Sequence, residues 1–188
     1  PDVKLLGTVA TGTPYLGLRQ NETALPSDTV APQMAYTMYA VETAKLVNPA
    51  FDPTTIFLPA AMPALKASTD TCVMPLFQRL IAEKRTELNS FQPGGAARLF
   101  NAIAPVTGYA TLKLAQPVFM GIGGKDVDVP TAMQQSLARE ACKAGSRIQA
   151  HVYPDMDHSG TVNASLKDSL PFVRNLLAGK PVASTCGQ

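Results

Sequence analysis

The stretch from Pro117 to Gly160 reads PVFMGIGGKDVDVPTAMQQSLAREACKAGSRIQAHVYPDMDHSG, and it determines the fold class. Its first residues form a short apolar run that enters a glycine turn, which indicates a buried strand over 117–122. Residues 130–145 have the apolar spacing of a helix, and the apolar residues alternate over 147–153 as in a strand. A strand, a helix and a strand at this spacing predict parallel strands joined by a helical crossover, and therefore an α/β fold.

The crossover helix has recognisable signals at both ends. Thr131 and Gln134 fit a capping box at its start, and Gly145 suits the left-handed residue that follows its end. One face is predicted to turn towards the sheet: Met133, Leu137, Ala141 and Ala144. The later stretch 168–181, DSLPFVRNLLAGKP, predicts a last helix that is ended by a glycine and a proline.

The chain before this unit has two different characters. Residues 3–10 are apolar with little alternation, which predicts a third parallel strand buried on both faces. Prolines are concentrated between Pro26 and Pro75, which favours several short helices. Amphipathic helices are predicted over 31–47 and 72–88, and FQPGGAARLF at 91–100 is predicted to be a loop.

Composition excludes some classes of protein. Of 188 residues, 46% are apolar and 16% are charged, which fits a globular chain rather than a disordered one. The net charge of +2 comes from scattered Lys and Arg without a basic stripe, so a nucleic-acid partner is not expected. No apolar run approaches the roughly 18 residues of a membrane span, so no transmembrane segment is expected.

The three cysteines suggest one disulfide. Cys142 lies about 140° around its helix from Leu137, at roughly 100° per residue, and is therefore off the face that packs on the sheet. We predict that it pairs with Cys186 and ties down the C-terminal tail, contributing about 2–4 kcal/mol. Cys72 would remain free or pair with an upstream partner. Two glycosylation sequons, at Asn21 and Asn163, weakly favour secretion.

Two aspartates follow the strand at 117–122, and one of them is a candidate catalytic acid. Side chains just past the carboxyl ends of parallel strands gather at one edge of the sheet, where such folds place their active sites. Asp126 lies on the loop that leaves the strand, between flexible glycines and the fixed backbone of Pro130. Asp128 is closer to the helix start, where the dipole and free amides favour a carboxylate of no catalytic role. We therefore expect Asp126 to accept a hydrogen bond from an imidazole.

The candidate base is His158. It is predicted to lie on the loop after the strand at 147–153, where a side chain can turn towards both an acid and a nucleophile. The other histidine, His151, falls inside that strand and is expected to be a partly covered side chain without a catalytic part. Asp126 and His158 follow the first and the second strand of one strand–helix–strand unit, as the acid and the histidine of a Ser–His–Asp triad can.

Other uses of these residues are less well supported. Two histidines without His-x-x-x-His or Cys-x-x-Cys spacing do not predict a metal site. The glycines of GIGGKD match neither the dinucleotide nor the Walker pattern of phosphate-binding loops. No cofactor is therefore expected.

Several stretches resemble α/β-hydrolases. PVFMGIGGKDVDVP, AHVYPDMDHSGTV and DSLPFVRNLLAGKP resemble the C-terminal third of that fold, and PDVKLLGTVATGTP resembles the strand after the nucleophile helix in secretory lipases of the lipase A type and their bacterial relatives. The resemblance implies a hydrolase core strand and turn at 1–25, an inserted helical cap at 26–107 and the remaining core at 108–188. It also implies a secreted or periplasmic carboxylic ester hydrolase whose triad acid is Asp126 and whose histidine is His158.

The chain departs from this family at the nucleophile. The elbow Gly-x-Ser-x-Gly is absent from the 188 residues, and Ser159 is too close to His158 along the chain to align its hydroxyl on that ring. We expect the chain to be part of a longer fold whose upstream segment, or a second chain, carries the serine. The alternatives are the same fold acting on aromatic-acid esters, polyesters or peptides, and a non-catalytic binding module that has lost its nucleophile.

Overall fold

Three parallel strands form an open sheet in the order β1–β2–β3: β1 (Thr8–Thr11), β2 (Val118–Gly123) and β3 (Ile148–Tyr153). Thr8 is opposite Val118, and Val118 is opposite Ile148. This is a computed structural model, and it describes residues 3–15 and 33–187. The fold is mixed α/β with an open parallel sheet, as an α/β-hydrolase C-terminal part would have.

The chain divides into two compact units. One comprises residues 1–15 and 109–188 and contains the sheet, and the other comprises residues 16–108 and is helical where it is described. The central strand of the sheet, β2, is buried along its whole length because it pairs with a strand on each side and helices pack against it. Gly124, directly after β2, lets neighbouring backbone approach closely, since a Cβ on it would lie 2.5 Å from the carbonyl oxygen of Pro154.

The predicted strands are found, with one difference at β1. β2 and β3 each begin one residue later than predicted, whereas β1 begins at Thr8 rather than Val3. The prediction that β1 is buried on both faces is wrong for this structure, in which Val9 is 43% exposed. The reason is that β1 is an edge strand: among the described residues, only β2 pairs with it.

Three helices belong to the unit that contains the sheet. α6 (Thr131–Lys143) follows β2, α7 (His158–Ala164) follows β3, and α8 (Leu166–Leu177) follows α7. The predicted end signal at Gly145 is confirmed, since its φ is +94°. The predicted capping box is wrong. The hydroxyl of Thr131 donates to the carbonyl oxygen of Gly123 at 2.6 Å, and the side chain of Gln134 turns towards the loop that precedes the helix.

The predicted inward face of α6 is only partly buried. Leu137 and Ala141 are buried, whereas Met133 and Ala144 are half-buried. Leu137 and Ala141 pack with residues of β2 and β3 in one apolar cluster.

The second unit contains five helices within its described part: α1 (Gln33–Val47), α2 (Met62–Ser68), α3 (Val73–Ala82), α4 (Glu87–Ser90) and α5 (Gly95–Thr107). Short 3-10 turns at Pro53–Thr55 and Pro59–Ala61 separate α1 from α2. The core of this unit is formed by buried apolar side chains from α1, α2, α3, α5 and the segments between them, with Phe57 stacked on Phe91 at 4.9 Å between ring centroids. The predicted start of α1 at Ala31 lies outside the described residues.

Two sequence predictions fail in this unit. The helix predicted over 72–88 is divided into α3 and α4, because Lys84 has a φ of +50° and Thr86 opens a new capping box with Asn89. The loop predicted over 91–100 contains the start of α5 at Gly95. A glycine is needed there because a Cβ would lie 2.3 Å from the carbonyl oxygen of Ile56. The resulting pair of glycines has the sequence pattern of a turn.

The predicted disulfide is confirmed. Cys142 at the end of α6 is bonded to Cys186 in the tail, with 5.4 Å between their Cα atoms. Cys72 is free and exposed. The sequon at Asn163 lies on α7 with its asparagine exposed, and the sequon at Asn21 lies outside the described residues. No helix within 3–15 and 33–187 is long and apolar enough to cross a membrane.

Candidate active site

The loop after β2 holds the carboxylate of Asp126 in a fixed orientation. Asp126 follows the end of β2 by three residues, and its side chain is fully buried. Its Oδ1 accepts hydrogen bonds from the backbone N–H groups of Asp128 at 3.0 Å and Val129 at 2.8 Å. The loop therefore folds around this one oxygen and points the second oxygen away from the backbone.

The second oxygen joins two other elements. Oδ2 of Asp126 lies 2.9 Å from Nε2 of Gln134 on α6 and 2.9 Å from Nδ1 of His158 on α7. Two carboxylate oxygens offer about four acceptor sites, and these four contacts use all of them. The predicted contact between Asp126 and His158 is thus present in the structure.

His158 is held at the first position of α7, not in a loop as its sequence context predicted. The helix begins there because the side chain of Asp157 caps it by accepting from the backbone N–H of Gly160 at 2.7 Å. The side chain of His158 is 40% exposed, while its acid partner is fully buried. One edge of the ring is therefore fixed by the protein and the other is accessible.

The two loops are joined to each other by backbone contacts. Past the end of the β2–β3 pairing, the N–H of Gly124 donates to the carbonyl oxygen of Tyr153, and the N–H of Lys125 donates to that of Met156, each at 2.9 Å. Lys125 and Asp155 add an exposed ion pair at 3.0 Å. These contacts fix the spacing of acid and histidine.

The geometry determines which ring nitrogen can act as a base. Nδ1 faces a carboxylate, which only accepts, so Nδ1 carries the proton. In the neutral ring Nε2 then has a free lone pair. A buried acid on one nitrogen and a basic lone pair on the other can remove a proton from a hydroxyl group and stabilise the imidazolium that forms.

Gly12 was missed by the sequence analysis and lies against this ring. It directly follows β1, with a φ of +58°, and a Cβ built on it would be 2.5 Å from Cε1 and 2.8 Å from Nδ1 of His158. Only glycine allows the backbone and the imidazole to approach this closely. The available signal was a glycine at the carboxyl end of a parallel strand, where sites collect.

A cluster of possible metal ligands overlaps the same residues. Asp126, Asp128 and His158 each place one ligand atom within 4.8 Å of the others. The acceptor sites of Asp126 are already used by four hydrogen bonds, so a cation would have to displace one of them. The arrangement therefore suits acid–base chemistry better than metal binding.

His151 lies elsewhere, on β3. Its ring is partly covered, stacks on Phe119 with 5.2 Å between ring centroids and bonds Gln149 at 3.1 Å. The neighbouring Tyr153 donates its hydroxyl to Asp168 at 2.7 Å. Burial and the charge of Asp168 raise the pKa of Tyr153.

Comparison with known proteins relates part of the chain to a lipase. No protein-family model matches. Over 72 residues the chain is 40% identical to the secreted triacylglycerol lipase LIP7 of Malassezia globosa. The matched region is 37% of this chain and 15% of that lipase, so LIP7 is more than twice as long. The similarity supports a lipase-like relationship for the matched part.

Proposed function

We propose that the chain is part of a secreted carboxylic ester hydrolase of the lipase or esterase type, in which Asp126 and His158 are the acid and the base of a Ser–His–Asp triad. The observation that carries the proposal is the 2.9 Å contact between the buried carboxylate and Nδ1 of a half-exposed imidazole. The relationship to a secreted triacylglycerol lipase favours ester substrates, including lipids. The disulfide and that relationship favour an extracellular location.

In the proposed reaction, Nε2 of His158 removes the proton of a serine hydroxyl as the serine oxygen attacks the acyl carbon. Asp126 keeps Nδ1 protonated and stabilises the imidazolium. The imidazolium then gives its proton to the leaving alcohol, and an acyl-serine remains. A water molecule, deprotonated by the same Nε2, releases the acid and restores the serine.

The serine must come from a segment other than the 188 residues, which contain no Gly-x-Ser-x-Gly. We propose that this segment supplies a strand that pairs with the edge of β1 to which no strand within 3–15 and 33–187 is bonded. An unpaired edge exposes backbone N–H and C=O groups that a further strand would satisfy. The apolar side chains of Val3 and Leu5, before β1, and of Val9, within it, are exposed, as expected for a surface that another segment covers.

We further propose that residues 26–107 form a cap over the substrate, with residues 1–25 and 108–188 belonging to the hydrolase core. The helical unit is described from 33 to 108, and its many short helices suit an insertion that contacts a substrate. The role follows from the resemblance and from the division of the chain into two units.

The proposal is tested by labelling the purified longer protein, which includes the segment with the nucleophile, with a fluorophosphonate and mapping the adduct by mass spectrometry. We expect label on a serine within a Gly-x-Ser-x-Gly peptide, because His158 activates that hydroxyl. The same labelling reaction on an H158N variant is the control, and we expect no label on that variant. A folded protein that takes up no label, and hydrolyses no short-chain ester, would instead support a binding module.

Replacing Gly12 by alanine should separate positioning of the histidine from backbone strain. The Cβ would collide with the imidazole, so we expect kcat for ester hydrolysis to fall by about 100-fold. The matched control is Gly179→Ala: its φ of +66° is close to the +58° of Gly12, and no described atom lies within 4 Å of its Cβ. Both variants should lose about 1 kcal/mol of stability through backbone strain, but only the first should lose activity. Equal activity in the two would contradict this role of Gly12.

A further inference from the structure

Gln134 is the second side chain that contacts the carboxylate of the Asp126–His158 pair. It lies in the first turn of α6, is 1% exposed, and donates through Nε2 to Oδ2 of Asp126 at 2.9 Å and to the carbonyl oxygen of Val129 at 2.6 Å. Its two N–H groups thus connect the loop backbone and the acid.

The carbonyl oxygen of the same amide contacts neither the loop backbone nor the acid. Oε1 of Gln134 is buried and has no hydrogen-bond partner among the described residues. Rotating the amide by 180° would not help, because the oxygen would then face a carboxylate and a carbonyl oxygen, which are both acceptors. A buried polar atom without a partner is costly and uncommon in native proteins. The chain tolerates this cost at a residue that contacts the acid.

We propose that Gln134 is a positioning residue that fixes the rotation of the Asp126 carboxylate, so that Oδ2 stays aligned with Nδ1 of His158. The proposal rests on the proposed function for its effect on rate. The backbone N–H groups of residues 128 and 129 hold only Oδ1, so Gln134 is the group that holds Oδ2 besides the histidine itself. Without it, the carboxylate would turn about its own Oδ1 contacts.

The test uses Gln134→Met, which keeps the length of the side chain and removes both donors, and Gln134→Glu, which places an acceptor against the carboxylate. The matched control is Gln135→Met, the neighbouring glutamine on the same helix, which is half-buried. The first readout is the Nδ1–H proton of His158 in ¹H–¹⁵N spectra of the folded protein. We expect its exchange with water to accelerate about tenfold in both Gln134 variants and to stay unchanged in Gln135→Met.

The second readout is kinetic. In the hydrolase with its nucleophile, we expect kcat to fall about tenfold in Gln134→Met and further in Gln134→Glu, with KM within twofold of the original value. A residue that only stabilised the fold would lower the melting temperature and leave the His158 signal unchanged below it. That result in folded Gln134→Met would overturn the proposal. A changed His158 signal in a protein that hydrolyses no ester would retain the positioning role and reject the ester-hydrolase function.

Discussion

Replacing His158 by asparagine is expected to lower kcat/KM for ester hydrolysis by about 10⁴-fold or more in the hydrolase that includes the nucleophile segment. The imidazole is the only group in the proposed site that both accepts the serine proton and returns it to the leaving alcohol. Asparagine has a similar size and can still donate to Oδ2 of Asp126, so the acid keeps its partner and the fold should be retained. Steady-state hydrolysis of a p-nitrophenyl ester measures the loss.

The second histidine provides the control for this experiment. His151 lies on β3, with its ring stacked on Phe119, and takes no part in the proposed reaction. His151→Asn should therefore change kcat/KM by less than about fivefold, even if stability falls through lost stacking. Comparable losses in the two variants, or an H158N protein with a tenth or more of the original activity, would refute the assignment.

The next largest effect is expected from Asp126→Asn, which should lower kcat by about 10⁴-fold. Oδ1 accepts two backbone N–H groups, so the oxygen of an asparagine must occupy that position. The new NH₂ group then faces Nδ1 of His158 and the Nε2 donor of Gln134. We expect the imidazole to change tautomer, so that Nδ1 accepts from the NH₂ group and Nε2 carries the proton. Nε2 can then no longer act as a base.

This substitution also has a matched control on the same loop. Asp128→Asn keeps the backbone N–H that Asp126 uses, and the Asp126–His158 contact does not involve its side chain. We expect its kcat to remain within about fivefold of the original. The ring tautomer of His158 can be read independently from its ¹⁵N chemical shifts, which should change in Asp126→Asn and persist in Asp128→Asn. A greater loss of activity in the Asp128 variant would exchange the roles of the two aspartates.

Stability gives a further comparison for the two aspartate variants. Asp126→Asn leaves two donors facing each other in a buried site, which should cost about 1–3 kcal/mol in the free energy of unfolding. Adding Gln134→Glu to Asp126→Asn supplies a carboxyl group that, when protonated, accepts from the new NH₂ group and donates to the carbonyl oxygen of Val129. The double variant should therefore regain part of the lost stability while its activity stays low, because the histidine still lacks a carboxylate on Nδ1. Urea unfolding followed by circular dichroism measures this difference.

The sequence by itself determined the β2–α6–β3 unit, because apolar periodicity and the Gly145 signal are local properties of the chain. It also favoured Asp126 over Asp128 and paired Cys142 with Cys186, since a loop residue and a helix face can be placed from spacing alone. It failed where local signals were ambiguous. A glycine pair resembled a turn although it began α5, and a long amphipathic pattern hid the break at Lys84.

Only the tertiary structure decided how the site is completed. Thr131 and Gln134 have the spacing of a capping box, but each found a better partner outside the helix, at Gly123 and Asp126. Gly12 meets His158 although 146 positions separate them, and no local pattern encodes that contact. Periodicity specifies which face of a helix is buried. Which atoms meet at the ends of parallel strands depends on the packing of β1, α6 and α7 around β2, and that packing is a property of the whole fold.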